Sequence, residues 1–395
     1  MNQTNPKLWT KNFIILSSVN FIMTLIFFLL NATITLYAIN EFDASTGQAG
    51  IIAGIFIIGS LLGRLFTGRL IHSKKILMTS LFLLILTTLL YFVHLDVNFL
   101  ILNRLLNGIT VGIISTIVST VVVFSLPASR KGEGISYFAI STALATGIGP
   151  FIGLVLSQNS NFDMIFSLSL LLGIFSLVIA FFLKFPATYK TEKNNKKGIK
   201  ISDYVEPKVI PIAIIIFFMT FCFSGIVSYL NIYALELGLI DTASFFFMIY
   251  TVFVLISRPF TGRIMDKKGA NIIIYPALIS YGVGMLLLSS VNSSFTLLLV
   301  GALVALGFGN ISSITQAIAI NLAEPHRVGV ATATFFIFYD LGNGFGPSII
   351  GLFIPATGYS GLYVILGLIV LATLFLYYML YGKKEGKLQN QVANY

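Results

Sequence analysis

The segment Arg64-Leu-Phe-Thr-Gly-Arg69 recurs as Arg258-Pro-Phe-Thr-Gly-Arg263, 194 residues further along a chain of 395 residues. Two other pairs of segments match in the same order at nearly the same offset: Leu36-Tyr-Ala38 with Ile232-Tyr-Ala234, and Gly149-Pro-Phe-Ile-Gly153 with Gly346-Pro-Ser-Ile-Ile-Gly351. Because the offset is about half of the chain length, the matches predict two tandem repeats of one fold.

The residues between these segments have the composition of a membrane protein. Hydrophobic side chains make up 57% of the chain and charged ones only 10%, whereas about a quarter of the residues of a soluble domain are charged. Twelve apolar runs lie between polar breaks, near residues 13–39, 48–70, 76–94, 98–126, 134–157, 162–184, 208–235, 243–264, 271–291, 295–322, 329–354 and 361–381. Roughly 20 residues suffice for a helix to cross the hydrocarbon core. Since hydrocarbon offers no partner to a free backbone group and the runs lack the alternation of barrel strands, each run is predicted to be a helix.

The fold class that follows is all-α: an integral membrane protein of twelve transmembrane helices, arranged as two six-helix bundles related by pseudo-twofold symmetry. We expect residues 1–184 to form the first bundle, 185–207 a lysine-rich cytoplasmic linker and 208–395 the second bundle. The first apolar run is too long for a signal-peptide core, so we expect it to be a retained span. Two such bundles place a substrate site between them and open it to each side in turn, which indicates a transporter.

The basic residues predict the orientation of the chain. There are 24 Lys and Arg residues against 14 Asp and Glu, a formal charge of +10. With the N-terminus in the cytoplasm, 23 of the 24 basic residues lie on cytoplasmic loops or at span ends, the four arginines of the repeated segment among them, and the external loops carry acids alone. This is the positive-inside pattern. We therefore expect a multi-pass protein of the cell (plasma) membrane with both termini in the cytoplasm, and we do not expect a nucleic-acid partner.

Several function classes are disfavoured by what the sequence lacks. One cysteine and three scattered histidines offer no metal site, and no Walker-type phosphate loop indicates ATP hydrolysis. No cofactor is expected. An enzyme such as an intramembrane hydrolase would need paired carboxylates, a metal set or a nucleophile with a base. A membrane sensor or scaffold would need a folded partner domain, for which the linker and the C-terminal tail are too short.

Three sequence motifs carry a resemblance to a known family. The loop after span 8 reads Gly262-Arg-Ile-Met-Asp266-Lys-Lys-Gly269, and its first-half copy reads Gly68-Arg-Leu-Ile-His72-Ser-Lys74-Lys75. The other two motifs lie in span 4 and span 5, and their residues are Arg104, Gly108 and Gly112, and Gly147, Gly149, Pro150 and Gly153. With these motifs the chain resembles transporters of the major facilitator superfamily over its whole length. It is most similar to the twelve-span drug/proton antiporter branch of bacterial exporters.

The resemblance implies that the motifs gate a transporter. The family favours an acid where this chain has His72, so a cytoplasmic latch in the first half would lack its acid–base pair. The glycine-proline motif of span 5 is associated with antiporters rather than symporters, and a proline there permits a helix bend. The residues assigned to gating are Gly68, Arg69, Gly149, Pro150, Gly262, Asp266, Gly346 and Pro347.

Two ionisable residues lie inside predicted spans. Arg104 is the one basic residue neither on a loop nor at a span end, and it lies roughly 9 Å into span 4. Asp340 lies near the middle of span 11, on a helical stripe with Asn343, Gly344 and Pro347. Because burial favours a neutral carboxyl and hydration a charged one, Asp340 is predicted to exchange a proton. The resemblance implies that Arg104 helps to couple it. The alternatives are an anion-binding or interfacial Arg104 and a packing hydrogen bond for Asp340.

Polar residues concentrate in the spans that the family places around a central cavity. The residues predicted to line it are Asn20, Thr24, Phe27, Asn31, Ser228, Asn231, Asn310, Gln316 and Asn343. For each residue singly, a hydrogen bond between packed helices is an equal alternative.

Together these patterns predict a proton-coupled, monomeric transporter in the bacterial plasma membrane. It would export a small amphipathic organic molecule, a drug or a metabolite, by alternating access, with protons and the lipid bilayer as its other partners. Two alternatives stay open in the same fold: a proton symporter for uptake of a small nutrient, and a dedicated exporter of a self-made metabolite such as a metallophore.

Overall fold

A computed structural model describes residues 7–44, 46–69, 73–157, 162–185 and 204–385, and these residues form an all-helical fold. Twelve long helices correspond to the twelve predicted spans: α1 (Lys11–Phe42), α2 (Thr46–Arg69), α3 (Lys74–Leu89), α4 (Val97–Phe124), α5 (Lys131–Ser157), α6 (Phe162–Phe181), α7 (Ile210–Glu236), α8 (Ile240–Lys268), α9 (Asn271–Leu288), α10 (Ser294–Asn321), α11 (Val328–Gly351) and α12 (Ile354–Tyr377). The all-α prediction is confirmed. Helix α10 contains one turn that the sequence did not predict, a π-helical turn at Ala305–Gly309.

Ten of the helices are long and apolar enough to cross a membrane, judged by length and composition. Among the described residues α2 contributes the shorter apolar segment Gly54–Thr67, and α11 is not one of the ten.

Several helices begin at a side chain that caps their free backbone N–H groups. Thr10 accepts a hydrogen bond from the backbone N–H of Phe13, and Asp96 accepts one from Phe99 at 2.7 Å. Ser73 and Ser293 cap α3 and α10 in the same way. Each cap of this kind stabilises a helix by about 1 kcal/mol. The caps explain why the helices begin at the polar breaks between apolar runs.

The helices form two compact units. The first comprises Met1–Ala128, Leu144–Glu206 and Glu324–Ile337, and the second Ser129–Ala143, Pro207–Ala323 and Phe338–Tyr395. The beginning of α5 therefore belongs with second-half helices, and the beginning of α11 with first-half helices. The division at residues 185–207 predicted from the repeat stays a prediction, and most of that linker lies outside the described residues.

Glycines bring α2 and α4 into close contact in the first unit. A Cβ atom built on Gly59 or Gly63 would overlap backbone atoms of α4, and one on Gly108 or Gly112 would overlap backbone atoms of α2. Small residues allow this approach because the gain in a bilayer comes from packing rather than from the hydrophobic effect. The contact fixes the position of Arg104, which lies one turn before Gly108 on α4.

Candidate functional site

Arg104 is fully buried in the first unit. Its guanidinium Nη2 donates to Asn31 Oδ1 at 3.4 Å, its Nε donates to the Ile52 carbonyl at 3.5 Å, and it lies 4.7 Å from the centre of the Phe56 ring. Its Nη1 has no hydrogen-bond partner among the described residues. The guanidinium is enclosed by protein, and its role stays a prediction. The cation is held by neutral and aromatic groups.

Two predicted cavity residues join Arg104 in one cluster. Asn31 is its hydrogen-bond acceptor, and the Phe27 ring stacks on Phe56 with centroids 4.8 Å apart. The four side chains thus form one polar and aromatic cluster from α1, α2 and α4, with Arg104 and Phe56 buried and Asn31 exposed. The sequence predicted three of its members but not Phe56, because nothing in the sequence distinguishes this phenylalanine from those that face lipid.

Two further arginines are buried, which the sequence analysis did not predict. The sequence pattern predicts that Arg64 and Arg258 are span-end markers of orientation, yet their side chains are only 6% and 4% exposed. Arg64 donates to Ser115 Oγ on α4 at 2.9 Å, while Arg258 donates to the Gly309 carbonyl and to Ser312 Oγ on α10. Ser115 and Ser312 are 197 residues apart, so the repeats place equivalent partners opposite equivalent arginines. The expectation that Arg104 is the one basic residue away from loops and span ends is therefore corrected.

The acid predicted to exchange a proton lies on a partly exposed face of α11. Asp340, Asn343 and Pro347 are all partly exposed, as the predicted stripe requires, whereas residues nearer the start of the helix are buried. Phe336, whose ring centre lies 4.7 Å from the Arg64 guanidinium, precedes Asp340 by one helical turn. The role of Asp340 stays a prediction.

Asp266 caps α5 at its first turn, within the second unit. Its two carboxylate oxygens accept from the backbone N–H groups of Gly132 and Glu133 at 2.7 and 2.8 Å. A carboxylate at a helix N-terminus is stabilised by the free N–H groups and by the helix dipole. The backbones of α5 and α8 are close here, since a Cβ on Gly262 would lie 2.7 Å from the Glu133 Cα. The sequence singled out Gly262 and Asp266, and the structure brings them to one contact.

Glu133 also belongs to this contact between α5 and α8, and the sequence did not predict it. It is 3% exposed and accepts from Arg130 Nε at 2.7 Å and from Arg263 Nε at 2.6 Å. Its signal in the sequence was the spacing Arg130–Glu133, which places an acid and a base on one helix face. We name the group Arg130, Gly132, Glu133, Gly262, Arg263 and Asp266 the α5–α8 cluster.

The first unit has a related pair at the beginning of α11. Arg327, which lies 197 residues after Arg130, pairs through its Nε with Glu206, and Glu206 is 4% exposed. The backbone N–H of Glu206 also donates to Thr334 Oγ1 at 2.9 Å. His72 and the side chain of Arg69 lie outside the described part of the chain, so the prediction of a first-half latch without its acid is untested.

The glycine-proline motifs make equivalent contacts in the two units. A Cβ on Gly149 or Gly153 of α5 would crowd Leu25 and Leu29 of α1, and a Cβ on Gly346 of α11 would overlap Ser224 of α7. Pro150 and Pro347 lie inside these two helices. The Pro347 carbonyl accepts from Tyr229 Oη at 2.6 Å.

The remaining predicted cavity residues are dispersed. Asn20 and Gln316 are buried, Thr24 is partly exposed and Ser228 is exposed, whereas the Asn231 side chain lies outside the described residues. Asn310 is 2% exposed, and its Oδ1 accepts from Ser257 and Thr261 of α8. That amide therefore bonds helices together, and its part in substrate binding stays a prediction.

Comparison with known proteins agrees with this architecture. The sequence model of the Major Facilitator Superfamily matches residues 16–291 and 240–394. An MFS-type transporter of Methanocaldococcus jannaschii is 26% identical over 81% of this chain and 85% of its own length. The staphylopine export protein of Staphylococcus aureus is 20% identical over 91% and 94%, and multidrug resistance protein 2 of Bacillus subtilis is 24% identical over 78% and 80%.

Solved structures show the same fold at low sequence identity. The human organic anion transporter MFSD10 superimposes with a TM-score of 0.73 at 14% identity, covering 93% of this chain and 98% of that one. The proton:xylose symporter XylE, bound to 6-bromo-6-deoxy-D-glucose, superimposes with a TM-score of 0.73 at 12% identity, covering 93% and 95%. The family model, the relatives and the helices together establish that the chain belongs to the major facilitator superfamily and is a multi-pass membrane transporter, not an enzyme.

Proposed function

We propose that the protein is a proton-coupled exporter of a small amphipathic organic molecule, working by alternating access in the plasma membrane with both termini in the cytoplasm. The observation that carries the proposal is the cluster of Asn31, Phe27, Phe56 and Arg104, which combines a buried cation with aromatic faces. Such a cluster favours a molecule with an apolar body and a polar or partly negative group. The relatives named as export and multidrug resistance proteins support the outward direction.

Asp340 is the proposed proton carrier. A carboxyl in a low-dielectric surrounding favours its neutral form, and the same carboxyl in water favours its charged form. A partly exposed acid on α11 can therefore bind a proton on one side and release it on the other as its hydration changes. One charge that moves through a potential of 100 mV supplies about 2.3 kcal/mol, which sustains roughly a fiftyfold substrate gradient.

We assign the α5–α8 cluster to the gate of this cycle. Alternating access requires contacts at helix ends that form in one state and break in another. Asp266 bonds to two backbone N–H groups and Glu133 to two arginines, and in the broken state water can replace every one of these bonds. A contact made only by packed apolar side chains would have no hydrogen bonds that water could replace.

Transport by everted vesicles tests the proposal. The vesicles are acidified inside, and amphipathic compounds are screened for those that dissipate the pH gradient. We expect a subset to do so with the wild type and with Glu41→Gln, an exposed acid at the end of α1, but not with Asp340→Asn. If no compound dissipates the gradient while whole cells accumulate labelled compound, the direction of transport is inward and the exporter proposal fails.

A dedicated exporter of one self-made metabolite is a second candidate. It is favoured by the similarity to the staphylopine export protein over nearly the whole of both chains. The compound screen separates the two candidates, because a multidrug exporter responds to several unrelated amphipathic compounds and a dedicated exporter to one chemical class.

A further inference from the structure

A groove runs along the outside of the second unit between α8, α9 and α10. Its volume is about 360 Å³, within the range of known ligand sites. Apolar side chains form its walls, with Lys268 at one end and Asn310 at its floor. Ile264, Ile272 and Leu306 of these walls are between 37% and 49% exposed, so the groove opens on the surface that a transmembrane helix presents to lipid.

Two interruptions of helical geometry border the groove. Pro276 lies inside α9, where it removes one backbone hydrogen bond. Opposite it, α10 forms its π-helical turn, which inserts one extra residue into the helix and widens it locally. Asn310 Nδ2 donates to the Leu306 carbonyl at 2.9 Å and so stabilises the widened turn.

The polar groups inside the groove already have partners. Asn310 Oδ1 accepts from Ser257 Oγ at 3.2 Å and Thr261 Oγ1 at 3.0 Å, and Ser280 Oγ donates to the Leu303 carbonyl at 2.9 Å. Inserting a polar ligand beside groups that are bonded to each other gains little and costs desolvation. The interior is therefore suited to a hydrocarbon chain.

The length and charge of the groove identify the occupant. From Ile272 to Ser280 the groove follows α9 for roughly 12 Å, close to one leaflet of a hydrocarbon core about 30 Å thick. At the Ile272 end lies Lys268, an exposed cation in the last turn of α8. We propose that the groove binds one anionic phospholipid, with an acyl chain along α9 and the phosphate at the Lys268 ammonium.

The first repeat does not share the features of this groove. At an offset of 197 residues the buried positions of α3 and α9 coincide. At that offset the larger apolar residues Leu83 and Ile113 stand where the groove has Ser280 and Asn310. The two polar residues Ser280 and Asn310 are therefore not repeated in the first half.

Lipid binding to the purified full-length protein tests the proposal. Delipidated wild type and variants are titrated with phosphatidylglycerol or phosphatidylcholine of the same chains, and the first bound lipid is measured by native mass spectrometry. Lys268→Gln is expected to weaken phosphatidylglycerol about fivefold, which corresponds to about 1 kcal/mol for one lysine at an anionic headgroup. Lys267→Gln, the matched control on the neighbouring residue outside the groove, is expected to change it less than twofold. Ser280→Phe fills the groove and is expected to abolish the site for both lipids.

A fluorescence measurement on well-folded variants supplies a second readout. Trp9, the single tryptophan, is replaced by Phe, and Ile272→Trp introduces a reporter at the groove wall. Brominated phosphatidylglycerol is expected to quench it more strongly than brominated phosphatidylcholine, and Lys268→Gln to remove the difference. The proposal would be overturned if Lys267→Gln and Lys268→Gln weakened phosphatidylglycerol binding equally. It would also be overturned if the two brominated lipids quenched the tryptophan fluorescence equally. So would displacement of the lipid by a transported compound with no dependence on Lys268, because the groove would then be a substrate portal.

Discussion

Asp266 offers the sharpest quantitative prediction, because its contacts are few and well defined. Its carboxylate accepts two backbone hydrogen bonds at the beginning of α5, at 2.7 and 2.8 Å from the nitrogens of Gly132 and Glu133. Removing a helix cap costs about 0.5–2 kcal/mol, and a charge at the helix terminus adds about 0.3–1 kcal/mol. Asp266→Ala should therefore destabilise the α5–α8 contact by about 1–3 kcal/mol. Asp266→Asn keeps one acceptor and should cost about 1 kcal/mol.

These energies become measurable as the accessibility of a buried thiol. Ser136 of α5 is fully buried beside Gly262, and Cys222 is the one native cysteine. In a Cys222→Ser background, Ser136→Cys reacts with a thiol reagent only when the contact opens, so the rate follows the open fraction. Relative to the parent, Asp266→Ala should increase the rate about 5- to 150-fold and Asp266→Asn about fivefold or less, since about 1.4 kcal/mol is a factor of ten.

The control for this experiment is Lys267→Ala, which removes the neighbouring exposed charge without touching the cap. It should leave the labelling rate within about twofold of the parent, as surface charges contribute little. Labelling that is unchanged in Asp266→Ala, or increased equally by Lys267→Ala, would refute the reasoning that the cap holds α5 to α8.

Two further substitutions test other contacts. Arg104→Lys cannot reach its acceptor and stack on Phe56 at once, so transport should decrease about tenfold or more while the amount of inserted protein is unchanged; wild-type transport by this variant would contradict the assignment. Gly346→Ala places a methyl group against Ser224 and should lower thermal stability by about 1–3 kcal/mol, with recovery when Ser224→Gly is added. Gly54→Ala, with nothing within 4 Å, is the matched control and should not destabilise the protein. A destabilisation equal to that of Gly346→Ala would show that the effect is not one of close packing.

The fold could be predicted because its determinants are local. Each apolar run specifies its own helix, since a chain in hydrocarbon has no other way to satisfy its backbone, and the repeated segments specify the tandem arrangement. Arg104 could be predicted as a site residue because a charge inside a span is unusual, and Asp266 because it belongs to the loop motif after span 8. The roles of both residues stay predictions.

The rest could not be predicted because it depends on which helices become neighbours. The charges of Arg64 and Arg258 were already explained as markers of orientation. Their burial becomes evident only in the structure, where α4 packs against Arg64 and α10 packs against Arg258. Glu133 stood next to a basic residue in sequence, yet its second partner, Arg263, is 130 residues away. The π-helical turn of α10, which borders the groove, has no sequence signature.

Proton coupling through Asp340 is tested most directly by separating exchange from accumulation in proteoliposomes. Wild type and Asp340→Asn are reconstituted with a transported compound found in the vesicle screen, and both substrate counterflow and accumulation driven by a pH gradient are measured. We expect the wild type to perform both, and Asp340→Asn to retain counterflow, which needs no net proton movement, while losing accumulation. Accumulation by Asp340→Asn at the wild-type level would contradict the role of this carboxyl.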